Sequence, residues 1–192
     1  MSLTPSTMLP LSTPAADFSL LDTVSGKTVS LRDFDPKKGL LVMFLSKHCP
    51  YVQHIKTELT KLGGDYATRI SIVAIGSNDT EKYPDDAPAE LKKMAQDEKF
   101  NFPYLFDASQ TVAKAYTAAC TPDFFLYNAE RKLVYRGQLD NSRPGNGKPV
   151  TGKDLRAAID ALLGGKTISD AQVPSMGCNI KWKPGNAPAY FG

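Results

Sequence analysis

One cysteine stands out by its position, within the stretch SKHCPYVQH. Cys49 follows an apolar run and precedes Pro50, after which apolar residues recur at helical spacing. Cysteine attacks as a thiolate, and the free N–H groups and partial positive charge at a helix start stabilise that anion. Most cysteines are small, buried packing residues. The functional sites of α/β folds, however, lie where a strand leads into a helix. The pattern predicts that Cys49 is a nucleophile whose thiolate is tuned by three adjacent residues, Ser46, His48 and Pro50.

A second short motif, CTPDFF, precedes another strand-like run. Thr121 and Pro122 open that run, and we expect a cis peptide bond between them because X–Pro is the linkage in which cis costs little. Cys120 stands immediately before them. The third cysteine, Cys178, lies in a Gly-Cys context near the C-terminal end. Each of these two cysteines is either a buried packing residue or a thiol that reacts with the nucleophile.

The two histidines of the chain, His48 and His54, both flank Cys49. Two imidazoles with one or two thiolates could hold copper or zinc. On a helix that begins at Pro50, however, His54 points to the surface beside the sulfur rather than toward it. We therefore expect no resident metal, and a metal-binding or redox-sensing module remains an alternative.

Strand-like and helix-like segments alternate along the chain. DFSLLD and KTVSLRDF indicate a small hairpin, and GLLVMFLS and ISIVAIG are typical of strands buried on both faces. The order β-β, βα-βα, β-α-β-β-α predicts a mixed central sheet with helices on both sides. Gly63 and Gly64 predict the end of the helix that follows Cys49, and Thr151 with Asp154 resembles a capping box for the last helix.

The composition is that of one globular domain. The 192 residues are 42% hydrophobic and 22% charged, and a dispersed net charge of +3 gives no indication of nucleic-acid binding. The longest apolar run is too short to cross a bilayer, and the N-terminal stretch does not have the pattern of a signal peptide. We expect a flexible lead-in at 1–16, a domain at 17–164 and a tail at 165–192 that packs on it. A cytoplasmic location, where the separated cysteines stay reduced, fits this pattern.

These motifs together resemble the thioredoxin fold, in which a strand ending in Cys-Pro at a helix start is followed by Thr-Pro before a β-hairpin and a final helix. The stretch PAADFSLLDTVSGKTVSLRDF further resembles the redoxin branch of AhpC/TSA type, which includes peroxiredoxins and thiol-disulfide oxidoreductases. The tail PSMGCNIKWKPGNAPAY resembles one found in a group of bacterial redoxin-like proteins. The resemblance implies an α/β, thioredoxin-like fold with a mixed central β-sheet flanked by helices, an N-terminal β-hairpin extension and an irregular C-terminal tail. It also implies that Cys49 is the attacking cysteine and that Thr121 and Pro122 present backbone to a bound substrate.

The sequence departs from two patterns of the resembled proteins. Val52 stands where the second cysteine of Cys-x-x-Cys would be, so a dithiol cannot form within that turn. In the peroxiredoxin pattern Pro-x-x-x-Thr/Ser-x-x-Cys, Ser46 is kept but Val42 replaces the proline. The position of the peroxide-polarising arginine falls on Pro122 or Asp123. The first departure argues against a dedicated thioredoxin, and the second argues against a dedicated peroxidase.

The departures leave the identity of the second thiol open. In the resembled fold the cis-proline loop lies against the helix of the nucleophile, so Cys120 is the expected resolving thiol. Its Cα would have to lie within about 4.4 to 6.8 Å of that of Cys49. Cys178 is the rival, on a tail that could swing toward the site. Three residues are candidates for substrate binding, with plain surface roles as the alternative: Tyr51, Arg136 and Arg143.

The resemblance implies a thiol-based oxidoreductase in which Cys49 attacks a disulfide or an oxidised sulfur and Cys120 resolves the intermediate. One alternative is a peroxidase that reduces hydroperoxides through a sulfenic acid on Cys49. Another is the copper- or zinc-binding, or redox-sensing, module. The expected partners are a disulfide or hydroperoxide substrate and an external thiol reductant such as thioredoxin or glutathione. No cofactor, nucleic acid or membrane is expected.

Overall fold

The computed structural model describes residues 3–191. Within them lie ten strands: β1 (Leu3–Pro5), β2 (Ser19–Asp22), β3 (Thr28–Ser30), β4 (Leu40–Phe44), β5 (Ser71–Gly76), β6 (Tyr104–Phe106), β7 (Cys120–Thr121), β8 (Asp123–Tyr127), β9 (Leu133–Gly137) and β10 (Met176–Asn179). The same residues form four α-helices: α1 (Pro50–Tyr66), α2 (Pro88–Asp97), α3 (Thr111–Ala115) and α4 (Lys153–Leu163). Short 3₁₀ turns lie at Leu31–Asp33 and Pro84–Asp86.

Seven strands form one mixed sheet in the order β3-β2-β6-β5-β4-β8-β9. β5 pairs in parallel with both β4 and β6, whereas β4 pairs antiparallel with β8. The predicted hairpins, β2 with β3 and β8 with β9, form the two edges. This arrangement confirms the predicted α/β fold with a mixed central sheet.

The interior strand β4 is buried on both faces, as its apolar run predicts. Leu41 and Met43 belong to the core that packs against α1, α2 and α4, whereas Leu40, Val42 and Phe44 belong to the core on the side of α3. Burying a side chain of this size stabilises a fold by about 1.5–3 kcal/mol. The loop that follows β4 therefore starts from a firmly held strand.

Helix α1 is longer than the sequence predicts, because it continues through Gly63 and Gly64 to Tyr66. A Cβ on Gly63 would lie 2.3 Å from Asn101 Oδ1, whereas a Cβ on Gly64 would meet no atom within 4 Å. Gly63 therefore permits the close approach of a neighbouring segment. The prediction that the glycine pair ends the helix is wrong.

The last helix also begins differently from the predicted capping box. Gly152 occupies the N-cap with a φ of +66°, and no side chain caps the helix from that position. The N–H groups of Thr151 and Gly152 instead both donate to Asp140 Oδ2 at 2.7 Å. Asp154, the expected partner of Thr151, accepts a hydrogen bond from Gln138 Nε2. A carboxylate eleven residues upstream of Thr151 thus replaces the local cap.

The N-terminal lead-in and the C-terminal tail meet in a second sheet of order β1-β10-β7. The sequence predicts a flexible lead-in at 1–16, but residues 3–5 form β1, and Ser6 Oγ donates to the buried Asp123 Oδ1 at 2.8 Å. Residues 1 and 2 lie outside the described residues. The tail, predicted to be irregular, contributes the central strand of this sheet. No helix within residues 3–191 has the length and apolar character needed to cross a bilayer.

Candidate active site

Cys49 lies where the sequence predicts it, at the junction of β4 and α1. It is the N-cap residue of α1, with an extended backbone, and Pro50 takes the first helical position. Proline fits there because the N–H that it lacks would have no partner within the helix. The Cys49 side chain is 0% exposed. Its sulfur is therefore buried at the positive end of a seventeen-residue helix.

The cis-proline loop faces this sulfur. The Thr121–Pro122 bond is cis, as the sequence predicts. In its protonated form, Cys49 Sγ donates a hydrogen bond to the Thr121 carbonyl oxygen over 3.1 Å. Cys49 and the Thr-Pro motif, 72 positions apart in the chain, thus meet at one carbonyl group.

The cysteine that contacts Cys49 comes from the tail. Cys178 lies on β10 directly opposite Thr121 of β7, and its thiol and the Cys49 sulfur share a hydrogen bond. A Cβ on Gly177 would lie 2.0 Å from the Thr121 carbonyl oxygen, so only glycine allows β10 to approach this closely. Both cysteines are in the reduced form, with no disulfide bond between them.

The shared hydrogen bond shifts the pKa values of the two thiols in opposite directions. Donation from Cys178 is the largest effect on Cys49 and lowers its pKa to about 6, although burial acts in the opposite direction. The Thr121 hydroxyl and the Val52 N–H lower the pKa of Cys49 further. The pKa of Cys178 is raised, first by the hydrogen bond to Cys49 and then by burial. The arrangement favours a thiolate on Cys49 beside a protonated Cys178.

Cys120 has different contacts from those expected. Successive side chains of a strand point to opposite faces, and Cys120 lies opposite Asn179 in the register, not opposite Cys178. Its sulfur donates to the Pro122 carbonyl over 3.6 Å, and burial raises its pKa well above the usual value. Cys178, the rival in the sequence, is therefore the cysteine in contact with Cys49. Which of the two cysteines resolves the intermediate stays a prediction.

Ser46 and His48, predicted to tune the thiolate, both contact a carboxylate that the sequence does not single out. Ser46 Oγ donates to Asp86 Oδ2 at 2.9 Å, and His48 Nδ1 lies 2.5 Å from the same oxygen. The hydrogen bond to Asp86 is the main reason that the pKa of His48 is raised. The His48 ring also stacks on Tyr83, with 5.3 Å between the ring centroids. In the sequence, Asp86 resembles one of several acidic residues at a helix start, and no local signal distinguishes it.

The contacts of the two histidines give little support to the predicted metal-binding alternative. His48 Nδ1 faces Asp86, and His54 Nε2 lies 2.8 Å from Ser142 Oγ. Within residues 3–191, no group of three or more His, Cys, Asp or Glu side chains could hold a metal ion.

The three candidates for substrate binding lie in two places. Tyr51 and Arg143 line a cavity of about 20 Å³ beside Pro122, which has room for about one water molecule. The Arg143 guanidinium donates to its own loop and to Gln138 Oε1. Arg136 lies elsewhere, with its guanidinium donating to the Leu9 carbonyl and to a tail glutamine. Its role in substrate binding stays a prediction, with no contact at the cysteine pair to support it.

Comparisons with known proteins agree with this geometry. The model of the AhpC/TSA family matches residues 11–136. The chain is similar to an uncharacterized conserved protein from Geobacillus kaustophilus, with 50% identity, a TM-score of 0.93 and coverage of 96% of this chain and 98% of that one. It is also similar to a hypothetical protein from Sinorhizobium meliloti 1021, with 52% identity, a TM-score of 0.92 and coverage of 95% and 100%. No curated protein matches the chain.

A more distant likeness concerns the fold alone. The thioredoxin domain of a thiol-disulfide oxidoreductase from Bacteroides vulgatus is 21% identical, with a TM-score of 0.56 and coverage of 67% of this chain and 88% of that one. The family match covers more than half of the chain, and it includes β4, the Cys-Pro junction and the cis-proline. With its thioredoxin-like fold, the chain belongs to the AhpC/TSA family.

Proposed function

We propose that this protein is a thiol-based oxidoreductase in which Cys49 attacks and Cys178 resolves. One observation carries the proposal: the buried sulfur of Cys49, at the start of α1, shares a hydrogen bond with the thiol of Cys178, and this contact lowers the pKa of Cys49. A low-pKa attacking thiol with a second thiol in contact is what thiol-disulfide exchange requires. Cys120, with its contact to the Pro122 carbonyl, has no part in the proposed reaction.

The proposed reaction passes two electrons from the protein to a substrate disulfide. The Cys49 thiolate attacks one substrate sulfur, so the substrate S–S bond breaks, a mixed disulfide forms and the first substrate thiolate leaves with a proton. Cys178 then loses its proton and attacks the Cys49 sulfur. The Cys49–Cys178 disulfide forms and the second substrate thiol leaves. An external dithiol reverses these exchanges and restores the reduced pair.

The order of the two steps follows from the electrostatics of the pair. In the reduced protein the hydrogen bond to Cys49 and the charge of Cys49 both raise the pKa of Cys178, which makes Cys178 a poor nucleophile. When Cys49 becomes part of a mixed disulfide, its negative charge is gone and both of these effects disappear. Cys178 then ionises more easily. The resolving thiol is thus activated by the first step.

Peroxide reduction is the second candidate, and the burial of the site favours it. Cys49 is 0% exposed and Cys178 is 3% exposed, so a peptide disulfide reaches them only if β10 moves, whereas a small hydroperoxide needs less space. The Cys49 thiolate would take one peroxide oxygen, with release of water or an alcohol, and become a sulfenic acid. Cys178 would then displace that oxygen as water to form the same disulfide. Both candidates therefore end with one product on the protein.

Two assays on the reduced protein separate the candidates. One assay uses insulin as the substrate of the wild-type protein and dithiothreitol as the reductant. The other uses hydrogen peroxide as the substrate and a thioredoxin system as the reductant. Turnover of insulin supports the disulfide reductase, and turnover of peroxide alone supports the peroxidase. We expect Cys49→Ser to abolish either activity and Cys120→Ser to retain it. Lack of both activities in the folded wild-type protein would overturn the proposal.

A further inference from the structure

Asp86 is a buried carboxylate on the 3₁₀ turn before α2, and it is 1% exposed. It accepts hydrogen bonds from three consecutive residues of the loop between β4 and Cys49. Besides Ser46 Oγ and the His48 ring, the backbone N–H groups of Lys47 and His48 donate to Asp86 Oδ1 at 2.6 and 3.3 Å. Burying a carboxylate is costly unless such donors satisfy it. The loop before the nucleophile thus depends on one side chain from another part of the chain.

Asp86 also connects to the segment that carries Cys178. Asn78 Nδ2 donates to Asp86 Oδ2 at 2.6 Å, and Asn78 Oδ1 accepts a hydrogen bond from the Lys181 N–H at 2.8 Å. Lys181 follows β10 by two residues. The Asp86 network therefore contacts the backbone on both sides of the thiol pair, before Cys49 and after Cys178.

We propose that Asp86 is a positioning residue, which fixes the loop before Cys49 and holds a positively charged His48 next to the Cys49 thiolate. Asp86 itself does not contact the sulfur by any hydrogen bond in residues 3–191; it acts through His48 and the loop. This inference rests on the proposed redox role of Cys49, but its test measures ionisation and needs no turnover.

The charges around His48 support this role. Its hydrogen bond to Asp86 raises the pKa of His48, and the charge of Cys49 raises it further, whereas burial and the Lys181 ammonium lower it. The interaction between His48 and Cys49 is mutual, so a protonated imidazole also favours the thiolate. Tyr104, buried near Asp86 and Cys49, has a pKa raised far above its usual value by burial and stays neutral. Asp86 is the negative group that favours the charged form of the imidazole.

The neighbouring ion pair does not substitute for Asp86. Lys47 Nζ contacts Glu90 Oε2, and both side chains are partly exposed, which weakens their pairing in water. Asp85, the adjacent carboxylate on the same turn, is exposed. It therefore offers a matched control, because Asp85→Asn removes the same charge one residue away from Asp86→Asn.

The experiment measures two ionisations in the reduced full-length protein. The titration of the His48 ring is followed by NMR and assigned with His48→Gln. The pH dependence of Cys49 alkylation by iodoacetamide is followed by peptide mass spectrometry. In Asp86→Asn we expect the His48 midpoint to move to lower pH and the Cys49 midpoint to move to higher pH. We also expect oxidation of the pair to slow by about tenfold, the size of effect that the loss of one charged hydrogen bond has on a rate.

The controls decide between positioning and a general loss of stability. Asp85→Asn should leave both midpoints in place, and His48→Gln should raise the Cys49 midpoint although Asp86 is intact. A folded Asp86→Asn protein with an unchanged Cys49 midpoint would overturn the proposal. If Asp86→Asn does not fold, His48→Gln decides alone, and an unchanged Cys49 midpoint in that variant overturns it. Normal ionisation in a protein without turnover would instead count against the proposed function.

Discussion

Cys178 lies opposite Thr121 in the register of β10 against β7, and the carbonyl of that same Thr121 accepts the hydrogen bond from Cys49 Sγ. One residue of the cis-proline loop thus sets the position of both sulfurs. Because the contact to β10 is made by backbone pairing, the relative placement of the thiols does not depend on a flexible side chain. The following experiments test what this geometry predicts.

Mild oxidation of the reduced protein should produce one disulfide, between Cys49 and Cys178. These thiols are already in contact, whereas the sulfur of Cys120 faces the Pro122 carbonyl. Peptide mapping under non-reducing conditions identifies the linked peptides. Cys120→Ser should give the same linkage in the same yield. A Cys49–Cys120 peptide in the wild-type protein would contradict the assignment of Cys178.

The pH dependence of Cys49 alkylation should change with the hydrogen-bond donor at position 178. Because the Cys178 thiol is the largest of the effects that lower the pKa of Cys49 to about 6, Cys178→Ala should move the alkylation midpoint of Cys49 to higher pH. Cys178→Ser keeps a hydrogen-bond donor and should move the midpoint less. In the wild-type protein we expect the thiolate to form above about pH 6 and to be lost below it. Equal midpoints in the alanine variant and the wild type would show that the Cys178 thiol does not set the ionisation.

Gly177→Ala should loosen β10 from the cis-proline loop. The added methyl group would lie 2.0 Å from the Thr121 carbonyl oxygen, which is backbone and cannot rotate away. Overpacking of this kind destabilises proteins by about 1–3 kcal/mol, and we expect faster alkylation of Cys49 as its cover opens. Gly185→Ala, also in the tail, is the control, since its Cβ meets no atom within 4 Å although its φ of +72° brings some strain. Equal alkylation rates in the two variants would argue against β10 as the cover of Cys49.

The buried Asp123 should make stability depend on pH. Burial raises its pKa from 3.8 to about 7, although hydrogen bonds from Ser6 and from the Ala119 N–H lower it. A carboxyl group whose pKa is raised by folding contributes stability that is fully present below about pH 4 and is lost as the pH rises to about 7. Asp123→Asn cannot ionise and can still accept the hydrogen bond from Ser6. We therefore expect the urea concentration at the unfolding midpoint of Asp123→Asn to exceed that of the wild type by more at pH 8 than at pH 5. The same difference in midpoint at both pH values would contradict this account.

Substituting alanine for each of the two glycines inside α1 should change the stability of the protein in opposite directions. Gly64→Ala adds a methyl group in open space and should stabilise the protein by about 0.5–1 kcal/mol through helix propensity. Gly63→Ala brings a methyl group to 2.3 Å from Asn101 Oδ1 and should destabilise it. Thermal unfolding of the pair measures both effects. A stabilised Gly63→Ala protein would mean that Asn101 moves aside at little cost.

The sequence predicts the part of the site that depends on neighbours in the chain. An apolar run, Cys49 and Pro50 predict a strand leading into a helix start, and the X–Pro motif at Pro122 predicts the cis bond; the structure has both. The glycine pair near the end of α1 misleads because Gly63 serves the close approach of Asn101, which lies in a later segment, rather than the end of the helix.

The rest of the site depends on contacts between distant segments. A four-residue strand without alternating hydrophobicity gives no sign of its partners, so the pairing of Cys178 with Thr121 is not visible in the tail sequence. Asp86 is hidden in the same way, since the loop residues that donate to it lie 38 to 40 positions earlier in the chain. The contact between Cys178 and Cys49 is hidden for the same reason, because proximity to Pro122 in sequence does not determine which face of the strand a sulfur occupies.

The position of β10 along the chain has a consequence for biosynthesis. β10 is the last strand of the described residues, and the central sheet and all of its helices precede it, ending at Leu163. A nascent chain can therefore assemble the strand and helix that present Cys49 before the segment with Cys178 leaves the ribosome. For that interval the reactive sulfur has neither its cover nor its internal partner.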